Sequence, residues 1–154
     1  MKLSEHILQE HFRAPSQEAM LNVMVTNSWI FGELAATMAP YGVTPAQYNV
    51  LRILRGSHPK KLTCSALGRR LLDRMPDVTR LLNRLERAGL VHRQRARHDR
   101  RVVEVGITEQ GRVLLDRMRD DMIATEKRLM MYLSVNEQRQ LSQLLERVRT
   151  DQRA

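Results

Sequence analysis

Between residues 76 and 107 the apolar residues change their period. Val78, Leu81, Leu82 and Leu85 stand at i, i+3, i+4 and i+7, which puts them on one side of a helix. Gly89 closes that helix, and Val103, Val105 and Ile107 then alternate as residues of a strand do. A short helix that must bury one face, followed at once by a hairpin, restricts the middle of the chain to a compact α+β unit. The side of the helix left for solvent carries Thr79, Arg80, Asn83, Arg84 and Arg87.

On either side of this unit the period is helical. Met20, Val23, Met24, Ile30, Phe31, Leu34 and Met38 fall mostly three, four or seven apart, predicting a long helix from about Glu18 to Ala39. Pro40, Tyr41 and Gly42 break it. Thr44-Pro45-Ala46-Gln47 is a capping box with Pro at the first helical position, predicting a helix to about Arg55. A short helix follows over about Thr63 to Leu72, and Pro76 opens the next. Thr108 caps a second long helix, with Leu114, Leu115, Met118, Met122 and Leu129 on its stripe, running to about Leu133. Ser134-Val135-Asn136-Glu137 is another capping box, and Leu141, Leu144, Leu145 and Val148 line the last helix. The fold class expected is mainly α, with a two-stranded β-hairpin.

Charge locates the function. Of the net +9, a segment from Lys60 to Val105 holds +8, with thirteen Lys or Arg against five Asp or Glu. A solvated surface would spread its charge more evenly, so this concentration points to a polyanionic partner. Arg95, Arg97, His98, Arg100 and Arg101 crowd into seven residues, the last four of them at the tip of the hairpin. Like charges so placed destabilise a self-contained loop but suit a probe for the narrow, negative minor groove of DNA. Asp99 can accept a hydrogen bond from the Arg101 guanidinium and hold it extended. The preceding helix fits the major groove, where Arg80 is best placed to grip guanine O6 and N7, while Arg84 and Arg87 reach phosphates.

The stretch PDVTRLLNRLERAGLVHRQRARHDRRVVEVGITEQGR resembles the core of the MarR family of winged-helix transcriptional regulators. The marks are Leu85-Glu86-Arg87-Ala88-Gly89-Leu90-Val91, the wing Asp99-Arg100-Arg101 and the closing Thr108-Glu109-Gln110-Gly111. The resemblance covers about Gln17 to Arg149 and implies a homodimer built from the first and last helices on a pseudo-palindromic operator. It implies one domain over 1–154, with dimerisation helices at 17–40 and 108–152 and a winged helix-turn-helix at 44–107. It further implies that Arg101 enters the minor groove braced by Asp99, and that Pro76, Asp77, Thr79 and Arg80 touch bases or phosphates. One departure stands at Asp77, where the family often has a small hydroxyl residue; an acid there is left to brace Arg80 or Arg74, or to accept from cytosine N4.

Pairing has independent support, because the outer helices are rich in apolar side chains and lie far in sequence from the central unit. Two-fold pairing buries them and sets two recognition helices about one DNA turn, roughly 34 Å, apart. Met24, Met38, Met118 and Met122, with Trp29 and Tyr48, are the candidates to line a cleft between the dimer helices and the DNA module. Core packing is the default role of such methionines, whereas the family commonly binds small aromatic or phenolic effectors in that cleft.

Other classes are less well served. RNA modules usually offer aromatic platforms, and no Phe, Trp or Tyr lies between Lys60 and Ile107, so a non-specific architectural or RNA-binding protein is the alternative reading. No nucleophile–base arrangement, phosphate loop or metal-ligand spacing is present, so neither an enzyme nor a cofactor or metal site is expected. The lone Cys64 fits a reducing compartment. The charged N-terminus and the lack of a long apolar run lead us to expect a cytoplasmic protein with no membrane partner.

Overall fold

A computed structural model describes residues 2–72, 77–96, 99 and 101–150. In chain order the elements are α1 (Leu3–His6), α2 (Pro15–Met38), a 3-10 turn (Ala39–Tyr41), α3 (Pro45–Ser57), β1 (Leu62–Thr63), α4 (Cys64–Gly68) and α5 (Val78–Arg87). Then follow β2 (Val91–Arg95), β3 (Val103–Ile107), α6 (Glu109–Arg117), α7 (Arg119–Leu129) and α8 (Val135–Val148). The mainly α fold with a hairpin is as the period predicts.

Local signals account for most boundaries. Thr44 and Gln47 form the predicted reciprocal cap of α3, and Ser134 and Glu137 that of α8. The Ser134 hydroxyl and main-chain N–H hold the Glu137 carboxyl below its ordinary pKa. The single long helix expected from Thr108 is two helices, interrupted at Met118, whose side chain is fully buried. The Tyr41 hydroxyl reaches that break, donating to the Asp121 carboxylate at 2.6 Å and lying 3.3 Å from the Arg117 carbonyl. The carboxylate pushes the Tyr41 phenol above its ordinary pKa.

The sheet has three strands where two were expected. β3 lies between β2 and β1, antiparallel to both, with Leu62 opposite Val105 and Arg93 opposite Val105 on the other side. At two residues, β1 is too short to show alternation. Leu62, Val91, Val105 and Ile107 pass from the sheet into a core shared with Val50, Leu51 and Leu54 of α3, Leu67 of α4, and Leu82 and Leu85 of α5. Val103 lies past the edge of this core and is exposed.

Around Gly89 three motifs seen separately in sequence lock together. Gly89 has φ +71° and ends α5, its N–H donating to the Glu86 carbonyl and that of Leu90 to the Leu85 carbonyl. The Thr108 hydroxyl donates to the Gly89 carbonyl at 2.7 Å while accepting the Gly111 N–H at 3.1 Å, so it caps α6 and ties it to the end of α5. Gly111 is required by this closeness: a Cβ there would stand 2.4 Å from the Leu90 carbonyl oxygen and 2.8 Å from Ile107 Cγ1. We expect Gly111→Ala to cost about 1–3 kcal/mol through overpacking, seen as a lower urea midpoint with unchanged slope; an unshifted midpoint means the backbone there can yield.

The outer helices are another matter. α2 packs on α7 and α3, the Thr37 and Thr125 hydroxyls meet at 2.9 Å, and Arg128 donates to Glu33 at 2.7 Å. Yet only Met38 of α2 is buried, and no residue of α8 is. Met20, Val23, Met24 and Phe31 of α2 are exposed, as are Val135, Leu141, Leu144 and Val148 of α8. The N-terminal α1 is a single turn whose Leu3 is buried against its own chain. Among the described residues no helix is long and apolar enough to cross a membrane.

Candidate nucleic-acid interface

α5 is set by its two faces. Leu82 and Leu85 are fully buried and Val78 and Leu81 pack beside them, so Thr79, Arg80, Asn83, Arg84 and Arg87 are turned out and exposed. The helix begins two residues later than the proline suggests, because Asp77 is its N-cap and accepts the Arg80 main-chain N–H at 3.0 Å. That contact explains an acid on a basic surface: its charge meets the positive end of the helix it starts. Asp77 therefore braces residue 80 through the backbone and not through the guanidinium.

At the wing, Asp99 takes the main-chain N–H of Arg101 at 2.9 Å, while its carbonyl accepts the Val102 N–H at 3.0 Å. The carboxylate shapes the turn, where a bond to the Arg101 guanidinium was expected. Arg101 is exposed. Pro76, Arg97, His98 and Arg100, also expected to touch DNA, lie outside the described residues.

One residue of this surface escaped the sequence reading. Arg93 of β2 donates from Nη1 to Asn83 Oδ1 at 2.7 Å and from Nη2 to the Thr79 carbonyl at 3.2 Å. Its main-chain N–H reaches Glu86 Oε1 at 3.2 Å. Ten residues separate Arg93 from Asn83, so neither helical nor strand periodicity could pair them.

Behind α5 is a cavity of about 550 Å³ between α2 and α7 on one side and α3 and α5 on the other. Of the six candidate cleft residues it gathers Met38, Tyr48 and Met122 on its walls, with Phe31, Asn49, Arg52 and Arg70 beside them. Met118 is buried in the core, whereas Met24 and Trp29 are exposed on α2 and are not part of the wall. Asn49 Oδ1 is buried there without a hydrogen-bond partner. Cys64 is half-buried at the start of α4, packed against the core. Among the described residues no cluster of three His, Cys, Asp or Glu could hold a metal.

The core of this module, residues 41–102, matches the model of the MarR family. The uncharacterized HTH-type transcriptional regulator YkoM of Bacillus subtilis is 33% identical over 107 residues, covering 70% of this chain and 68% of YkoM. The crystal structure of a MarR transcription factor from Planctomyces limnophilus, 32% identical, superposes with a TM-score of 0.69 over 88% of this chain and 98% of that one. The chain belongs to the MarR family. Its fold is the winged helix-turn-helix of MarR regulators, with α5 standing where that fold has its recognition helix and β2–β3 where it has its wing. A serine-for-cysteine mutant of Escherichia coli MarR, complexed with operator DNA, is 26% identical with a TM-score of 0.77 over 83% of this chain and 91% of that one. These relatives are regulators of transcription and not enzymes.

Proposed function

We propose that this MarR-family protein is a homodimeric repressor that reads a pseudo-palindromic site in double-stranded DNA and releases it when a small aromatic or phenolic molecule fills its cavity. The observation that carries the reading is the exposed row Arg80, Arg84 and Arg87, held outward by two leucines with no solvent exposure. A helix so mounted can enter a major groove, with Arg80 near its N-terminus at base edges. Asp77, Thr79 and Asn83 flank it, Pro76 precedes it, and Arg97, His98, Arg100 and Arg101 supply the wing. That a relative at 26% identity is complexed with operator DNA supports the DNA reading.

Pairing rests on the uncovered apolar faces of α2 and α8, which fit dimerisation segments at 17–40 and 108–152 around a DNA module at 44–107. Sedimentation giving twice the chain mass is the expected result; a lone subunit at all concentrations would overturn it. Repression follows from occupancy, since a protein covering the operator excludes others from it, and a reporter assay with the gene deleted tests the sign. The cavity lies between the dimer helices and the DNA module, so a ligand preferring one spacing of the recognition helices shifts operator affinity. Operator affinity unchanged across a panel of phenols would remove that part.

Selection of bound duplexes from a random pool tests the whole reading. It should return two inverted half-sites about one helical turn apart. Arg80→Ala should then cost about 1–3 kcal/mol and relax base preference at one position per half-site. Arg101→Ala should weaken binding most where A/T-rich flanks narrow the minor groove. Losses that are negligible for both would place the DNA surface elsewhere, and equal competition by RNA would favour the basic-patch alternative.

A further inference from the structure

The three acceptors engaged by Arg93 belong to residues 79, 83 and 86, which stand at i, i+4 and i+7 along α5. The side chain donates to the first two, one turn apart, and the main-chain N–H to the third, so one residue of the wing strand holds the recognition helix over two turns. Its stem is largely covered, with 23% of the side chain exposed, and Nε lies 3.7 Å from Glu86 Oε2. The arrangement suits a guanidinium alone, because its donors form a fixed planar fork whereas an ammonium is a single point.

The grip also settles the orientation of the Asn83 amide. A guanidinium can only donate, so the atom facing Nη1 is the oxygen and the NH2 group faces away from Arg93. Asparagine with both atoms free reads adenine at N6 and N7 by donating and accepting together. With its oxygen turned to Arg93, Asn83 presents its NH2 group on the other side, to donate toward a phosphate oxygen or an acceptor on guanine or thymine.

We propose that Arg93 is a positioning residue for DNA recognition. It fixes the wing and the recognition helix as one body and presents Asn83 as a hydrogen-bond donor. This rests on the double-stranded DNA reading above. The test compares Arg93→Met, Arg93→Lys and Asn83→Ala, alone and combined, by thermal melting and by binding to the selected operator and to a scrambled duplex. Arg93→Met, which keeps an apolar stem, should lower the ratio of operator to scrambled affinity about tenfold. Asn83→Ala should cost operator affinity in the wild-type background and almost nothing in the Arg93→Met background. Arg93→Lys should melt like the wild type yet keep the reduced ratio, a result that a merely structural role would not give; should Arg93→Met fail to fold, this variant carries the test. A wild-type ratio in Arg93→Lys, or an equal Asn83→Ala effect in both backgrounds, overturns the proposal while leaving DNA binding intact. A wild-type protein with no preference between the two duplexes overturns both.

Discussion

Raising the salt from about 50 to about 200 mM should weaken operator binding about 10³–10⁵-fold, the loss for a dimer that displaces counterions at about 6–10 phosphates. The charge map supports that number of contacts. Arg84, Arg87, Arg95 and Arg101 are exposed in each chain, on or beside the recognition helix and the wing. Doubling them for a dimer already falls within the range. Arg93 is left out, since its side chain is largely covered and turned onto α5. A fluorescence-anisotropy titration at four or more salt concentrations gives the slope directly. An affinity nearly flat across this range would mean that the arginines meet something other than phosphate.

Leu85→Ala should have the largest effect on stability of any change discussed, about 2–5 kcal/mol. The side chain is fully buried among the α3 and sheet residues, and its carbonyl accepts the Leu90 N–H that turns the chain into the wing. The cavity left behind lies under the recognition helix, so operator affinity should fall with stability. Urea denaturation followed by circular dichroism measures the first, and anisotropy at low salt the second. A loss below about 1 kcal/mol would imply that α5 collapses onto the vacated space, at the low end of what such cavities cost.

Much of this architecture was legible because its causes are local. The capping boxes at Thr44 and Ser134, the glycine ending α5 and the alternation in β3 involve residues within four positions of each other. Most of what escaped depends on partners distant in sequence. β1 exists because Leu62 pairs with Val105, and two residues carry no period. The break at Met118 leaves the apolar spacing of α6 and α7 intact, so sequence reads one helix where there are two. The start of α5 escaped for a local reason: Pro76 suggested it, whereas the hydrogen bond from the Arg80 N–H makes Asp77 the cap. Helical stripes showed which residues of α2 are apolar, but not whether they face the cavity, the core or solvent. Hence Met38, Tyr48 and Met122 meet at one cavity and Met24 and Trp29 do not. The grip of Arg93 on α5 had no signal in the chain.

On the proposed pairing, the bare outer surface of α8, with no residue buried in the single chain, bears on gene dosage. When copies are scarce, a site filled only by paired chains responds to the square of their abundance. Halving expression would then cut occupancy about fourfold, so a modest drop in synthesis could switch a promoter with no effector present.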